Sequence, residues 1–203
     1  MIDFKAVWES SWAMLGLEAD PECFVRLMTS YAEPHRHYHT QQHLAECLAL
    51  IQQVRNKLEH PAEVELALWF HDAIYAPLRH DNELRSADWA REVLLIAGAD
   101  LELADRVHSL IMATRHTAEP LGPDAQLLVD IDLAILGAPP ERFAEYERQV
   151  RAEYRHVPTF LFRRKRRELL QRFLARPVLY GSAKLRERFE AGARANLLAA
   201  VSD

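Results

Sequence analysis

At Leu66-Ala67-Leu68-Trp69-Phe70-His71-Asp72, an apolar helical run ends abruptly in a histidine and an aspartate. Side chains that can bind a metal are costly to bury at the end of an apolar helix unless something pairs with them. His43 lies upstream of this pair, and the string Asp130-Ile131-Asp132 lies downstream of it. A histidine, a His-Asp pair and a late aspartate therefore follow one another along the chain.

The segments around this run have the 3.6-residue hydrophobic period of helices, and none has the alternation and turn residues of a β-hairpin. Asp20 with Pro21, Thr40, Pro61 and Asp81 are typical helix starts. A first apolar stripe covers residues 4–15, a second helix runs to about residue 32, and the later helices are expected over residues 82–96, 100–114, 124–136, 140–154, 158–175 and 182–200. The sequence thus predicts an all-α, multi-helix bundle.

The composition is that of a globular protein, with 203 residues of which 49% are apolar and 27% charged. No Gly/Ser-rich linker divides the chain, so we expect one domain over residues 1–203, with residues 140–203 as C-terminal helices packed on the site core. We expect a cytoplasmic protein without a membrane span, because no apolar run is long enough and no signal segment is recognisable. Cys23 and Cys47 are expected to be buried thiols.

The net charge of −5 argues against general nucleic-acid binding, because nucleic-acid-binding domains usually carry a basic excess. The charge is nevertheless uneven, since residues 163–167 read Arg-Arg-Lys-Arg-Arg. This basic cluster is either a solvated helix face or a rim that binds phosphate or another polyanion.

Imidazole and carboxylate donors together suit a divalent transition ion better than a thiolate site would. His71 and Asp72 point about 100° apart on an ideal helix, so both reach one ion only where that helix ends. His39 and His43 are spaced i, i+4, and only one of them needs to be a ligand. Taken alone, the His71-Asp72 pair could also be a core histidine held by its neighbours. A second pair, His80-Asp81, lies in a polar turn and is expected to be a loop followed by a helix cap.

Several longer motifs surround these candidate ligands. They are Arg36-His37-Tyr38-His39-x3-His43-Leu44, Trp69-Phe70-His71-Asp72-Ala73-Ile74-Tyr75, Asp81-Asn82-Glu83-x2-Ser86-Ala87, Thr114-x-His116 and Asp130-Ile131-Asp132-Leu133-Ala134-Ile135-Leu136-Gly137. Together they resemble the predicted metal-dependent phosphohydrolases of the HD superfamily, over roughly residues 5 to 180.

The resemblance implies that His43, His71, Asp72 and Asp132 bind the metal, with His39 and Asp130 as the alternatives at the first and last positions. Two acids in one helix point about 200° apart, so Asp130 and Asp132 should not face the same ion. The acid that is not a ligand is expected to cap a helix, orient a ligand histidine or face a basic residue.

Further roles follow from the same resemblance. Asp72 and Glu83 are the expected catalytic residues, with Glu83 as a general base that orients the attacking water, although a first-turn carboxylate is also favoured by the helix dipole alone. The expected substrate-binding residues are Arg36, His39, Asn82, Ser86, His116 and Asp130.

The implied function is hydrolysis of a small phosphate ester or anhydride, such as a nucleotide, through a water activated by Mn, Fe, Co, Ni, Zn or Mg. The alternatives are a non-catalytic regulatory module that binds metal or nucleotide, a di-iron oxygenase that recruits further ligands, and a metal-free helical scaffold. A homo-oligomer is compatible with any of these functions.

Overall fold

The computed structural model describes residues 2–202, and the described chain is helical without a strand. The helices are α1 (Phe4–Met14), α2 (Pro21–Ser30), α3 (Gln41–Val54), α4 (Pro61–Phe70), α5 (Asn82–Ile96), α6 (Leu101–Ala113), α7 (Pro123–Asp132), α8 (Pro140–Glu153), α9 (Thr159–Leu174) and α10 (Ala183–Ser202). Short 3-10 helices cover Arg55–Lys57 and Leu133–Gly137. The predicted all-α class is confirmed.

Side chains cap several helices where the sequence indicated. The carboxylate of Asp20 accepts the Glu22 N–H with Pro21 at the first helical position, and Thr40 Oγ1 accepts the Gln42 N–H. The Asp100 carboxylate accepts the Leu103 N–H at the start of α6. These bonds satisfy backbone donors that the first turn of a helix leaves free, so the predicted starts of these helices are confirmed to within a residue.

The chain groups into two compact units, Met1–Val129 and Asp130–Asp203, each described by itself. In the first unit, α4 is the central helix, with α1, α3, α5 and α6 against it. Its residues from Ala62 to Phe70 are all buried. The two acids among them are hydrogen-bonded, Glu63 to Arg106 and Glu65 to Ser11 and Gln52. Trp8 packs edge-on against Trp12 and Trp69, which joins α1 to the end of α4. The core thus fixes the helix end that carries His71 and Asp72.

In the second unit, α10 lies against α9 and against the 3-10 helix Leu133–Gly137. A Cβ built on Gly137 would lie 2.5 Å from the Phe189 carbonyl oxygen, so this contact requires glycine. Side chains also satisfy nearby carbonyl groups: Tyr180 donates to Leu133 O, and Asn196 donates to Leu136 O. The prediction of one domain over residues 1–203 stays a prediction.

Candidate metal centre

The helix that carries the His-Asp pair ends at Phe70, so both side chains leave the helix at its rim. The His71 N–H still bonds to Ala67 O, at 2.9 Å, and Asp72 lies in the turn that follows. His71 Nδ1 lies 2.8 Å from Leu68 O. A carbonyl can only accept, so Nδ1 carries a proton and Nε2 of the neutral ring carries a lone pair. The helix end therefore sets the tautomer of His71.

His43 comes from the first turn of α3, and its side chain is 2% exposed. Its Nε2 lies 3.1 Å from His71 Nε2 and 3.5 Å from Asp72 Oδ2, while His71 Nε2 lies 3.0 Å from the same carboxylate oxygen. The hydroxyl of Tyr38 lies 3.0 Å from His43 Nδ1 and orients the ring from behind. Three ligand-type atoms thus form a triangle with sides of 3.0 to 3.5 Å.

This triangle fits a metal ion. Bonds of about 2.1 Å at angles of about 90 to 110° separate neighbouring ligand atoms by about 3.0 to 3.5 Å. The lone pair of neutral His71 would also face a carboxylate oxygen at 3.0 Å, and two acceptors repel unless a proton or a cation lies between them. The donor set and its spacing therefore suit one divalent ion.

The carboxyl group of Asp72 is an anion at neutral pH, with a side chain that is 17% exposed. Burial would raise its pKa, but the positive charge that His71, His39 and His43 carry when protonated, with the hydrogen bond that a protonated His71 donates, holds the pKa well below its usual range. A negative ligand is thus available to a cation without loss of a proton.

Cys47 is a residue of this site that the sequence reasoning did not place there. It lies one turn after His43 on α3 and is buried, and its Sγ is 3.8 Å from both nitrogens of the His43 ring. The ligand atoms of His43, Cys47 and His71 all lie within 4.8 Å of one another, so this buried group could hold a metal ion. The i, i+4 spacing of His43 and Cys47 was the signal that could have revealed it.

The loop after Asp72 is held by a buried arginine. The side chain of Arg36 has no exposed surface, and its guanidinium donates to Asp72 O at 2.6 Å and to Ala73 O at 3.0 Å. It also donates to His39 O and to the Glu33 carboxylate. Arg36 therefore positions the backbone that carries the site, and its predicted contact with substrate stays a prediction.

Two polar side chains of α5 hold the same loop from the other side. Asn82 accepts the Ala76 N–H at 3.1 Å and donates to Ala76 O at 3.0 Å. Ser86 Oγ accepts the Ile74 N–H at 3.0 Å. Asn82 and Ser86 thus act on the loop itself, and the substrate contacts predicted for them stay predictions.

The other predicted pocket residues have different surroundings. His39 precedes α3, and its ring stacks on Tyr75 with centroids 4.0 Å apart. Glu83 lies half-buried in the first turn of α5. His116 follows α6 with a positive φ of 53°. The charge of protonated His39 lowers the pKa of Asp72, which links His39 to the centre. The roles of Glu83 and His116 remain predictions.

The two late acids belong to the second unit. Asp130 is fully buried, and its carboxylate accepts the N–H groups of Gly181 and Ser182 at 3.0 and 2.7 Å, just before α10 begins. Both N–H groups precede Ala183, so the carboxylate holds the chain where it enters α10. A contact with substrate stays a prediction for Asp130. Asp132 is the last residue of α7, and its predicted metal role is likewise untested.

The second His-Asp pair differs from the first. Asp81 occupies the N-cap position of α5, but its carboxylate makes no cap hydrogen bond and instead accepts two hydrogen bonds from Arg79, at 2.7 and 2.8 Å. The prediction of a loop with a cap position is therefore confirmed, while the capping bond is replaced by an ion pair.

Comparisons with protein-family models, with curated proteins and with solved structures gave no match. The likeness to the HD superfamily thus rests on the motifs quoted above. None of the helices in residues 2–202 combines the length and the apolar character that crossing a membrane requires.

Proposed function

We propose that this chain is a metal-dependent phosphohydrolase that cleaves a phosphate ester or anhydride, with nucleotides as the first substrate class to test. The observation that carries the proposal is the convergence of His43 Nε2, His71 Nε2 and Asp72 Oδ2 within 3.0 to 3.5 Å of one another. The motif resemblance adds the reaction class. A bound divalent ion would lower the pKa of a coordinated water toward about 7 and polarise a phosphoryl oxygen.

The chain's own residues have distinct parts in this proposal. His71 offers Nε2 because Leu68 O holds its other nitrogen, and Tyr38 keeps the His43 ring in place. Asp72 supplies the negative ligand. Glu83, in the first turn of α5, is the proposed general base, and its carboxylate would hold the proton that the attacking water loses.

The first experiment measures the metal content of the desalted chain by elemental mass spectrometry. The variants are Asp72→Asn at the proposed site and Asp81→Asn as a matched control in the second His-Asp pair. We expect close to one ion per chain in the parent and in Asp81→Asn, and an affinity at least about 100-fold lower in Asp72→Asn. Circular dichroism establishes that all three are folded.

The second experiment measures phosphate release from nucleoside mono-, di- and triphosphates with Mn²⁺ or Co²⁺ present. We expect turnover in the parent chain and its loss in Asp72→Asn, with Asp81→Asn unaffected. If nucleotides raise the melting temperature without being consumed, the chain is a binding module instead. Two bound irons per chain would favour an oxygenase, and a folded parent that binds no metal would refute the proposal.

A further inference from the structure

The charge of this chain is divided between its two halves. Residues 1–129 hold 10 Lys and Arg against 20 Asp and Glu, whereas residues 130–203 hold 15 against 10. The formal net charges are therefore −10 and +5. A chain with opposite charges on two regions attracts its own copies when those charges are exposed in patches.

The positive patch lies on α9, and we call it the basic stripe: Phe160, Arg163, Arg164, Arg167 and Gln171. These positions repeat at helical spacing, so they share one face of α9, and all five are exposed. Within residues 2–202, neither Arg163 nor Arg167 has an ion pair or hydrogen bond from its side chain. Phe160 is 77% exposed beside these charges. The stripe therefore offers an aromatic anchor and two unpaired arginines, while Arg164 forms an ion pair with Glu168.

The start of α9 is held in a fixed position. Arg151 donates to Tyr154 O at 2.6 Å, to Val157 O at 3.1 Å and to Thr159 Oγ1 at 3.2 Å. Its guanidinium also lies over the Phe162 ring, 4.8 Å from the centroid. Because this turn is tied down, the stripe loses little freedom when it meets a partner.

The negative patch is a cleft of about 790 Å³ in the first unit, which we call the acidic groove. It lies between the start of α4, the length of α6 and residues 117–125. The exposed acids that line it are Glu59, Glu102, Asp105 and Glu119, of which Asp105 is paired with Arg91. Leu121 on its rim is 92% exposed. The one arginine of the lining, Arg106, is neutralised by Glu63 through two hydrogen bonds.

We propose that the basic stripe of one copy docks into the acidic groove of a second copy. Each surface has the charge that the other lacks, and each carries a large exposed apolar side chain, Phe160 on the stripe and Leu121 at the groove. The residues of the stripe, and the four acids and Leu121 of the groove, are exposed. Such a contact is heterologous, so it builds chains or a ring rather than a two-fold dimer.

A nucleic acid fits these observations less well than a second copy does. Phosphates would match the stripe, but they would leave the groove unexplained, and the net charge of −10 over residues 1–129 would repel them. The contact between copies uses both surfaces. Because the contact joins exposed opposite charges, we expect association in about the micromolar range that weakens with salt.

The test is sedimentation velocity of the full chain and of two charge-reversal variants. Arg163→Glu with Arg167→Glu reverses the stripe, and Glu102→Lys with Glu119→Lys reverses the groove. We expect the parent to associate between about 1 and 200 μM, and about tenfold more weakly in 0.5 M NaCl than in 0.05 M. Each variant alone should stay monomeric, because its two surfaces then carry the same charge.

An equimolar mixture of the two variants should associate again, because the acidic groove of one then meets the basic stripe of the other. Arg172→Glu with Arg186→Glu is the matched control: it removes as much positive charge from exposed sites of α9 and α10 outside the stripe and should associate like the parent. Circular dichroism verifies folding. A monomeric parent, a stripe variant that associates like the parent, or a mixture of folded variants that stays monomeric would overturn the proposal. So would a monomeric parent whose stripe binds a single-stranded RNA oligonucleotide, which would assign the surface to nucleic acid.

Discussion

Replacing Arg36 with alanine should destabilise the first unit by about 3 kcal/mol. The guanidinium is buried and donates four hydrogen bonds, three to backbone carbonyls and one to the Glu33 carboxylate. A hydrogen bond to a charged group contributes about 1.5 to 3 kcal/mol, and removing one member of a buried network costs about 3 to 5 kcal/mol. Asp72 is 17% exposed, so water can reach part of the gap, and we take the lower end of this range.

The assay is urea unfolding followed by circular dichroism, with Arg91→Ala as the matched control. Arg91 forms an exposed ion pair with Asp105, so its loss should change stability by no more than about 0.5 kcal/mol. For a chain of this length, the Arg36→Ala variant should melt roughly 6 to 12 °C lower. If Arg36→Ala is as stable as Arg91→Ala, the four bonds do not hold the loop and the positioning role given to Arg36 is wrong.

Three further perturbations act on the second unit. Asp130→Ala removes a buried carboxylate that accepts two N–H groups, so we expect a loss of about 3 kcal/mol in urea unfolding, with metal content unchanged. Gly137→Ala places a Cβ 2.5 Å from the Phe189 carbonyl oxygen and should cost about 1 to 3 kcal/mol in the same assay. Burial raises the pKa of Tyr146 and of Tyr180 above the unfolded value near 10. The two phenols therefore stabilise the fold fully below about pH 10, and this stabilisation is lost as the pH rises through their folded pKa values. In a pH titration, tyrosinate absorbance should appear at a higher pH than it does for free tyrosine, until the chain unfolds.

Each of these three predictions has a result that would contradict it. An Asp130→Ala chain that binds no metal while keeping its fold would give Asp130 a ligand role after all. A Gly137→Ala chain as stable as the parent would mean that Phe189 moves aside at no cost. Tyrosinate absorbance that follows free tyrosine while the chain stays folded would show that the phenols are not protected.

Helix starts were predictable because they depend on residues close together in sequence. The bounds of α5 are those predicted, and Asp20, Thr40 and Asp100 cap the helices that follow them. The end of α7 was not predictable in this way. We expected helix to residue 136, but α7 ends at Asp132 and continues as a 3-10 helix. Side chains far along the chain bind the carbonyls there, as Tyr180 does at Leu133 O, and no local pattern encodes that contact.

The same limit applies to the candidate site. The order of His43 and the His71-Asp72 pair pointed to a shared centre, and their ligand atoms do converge. The sequence could mark Asn82 as a polar residue worth attention, but it could not show whether its side chain faces a ligand or the chain's own backbone. The structure shows two bonds to Ala76, a partner that depends on how the loop folds back onto α5.

The hydrogen bonds that join residues 73–76 to α5 limit the motion of this segment. Their amides have no helix or strand to protect them, yet Ile74 N–H is bonded to Ser86 and Ala76 N–H to Asn82. These two amides should exchange with deuterium about as slowly as those of the helices around them, since exchange requires the bonds to open. We therefore expect this segment to stay in place when a ligand binds. Residues 73–76 would then form a rigid side of the candidate metal centre. Any movement that opens this centre to a ligand would come from other parts of the protein.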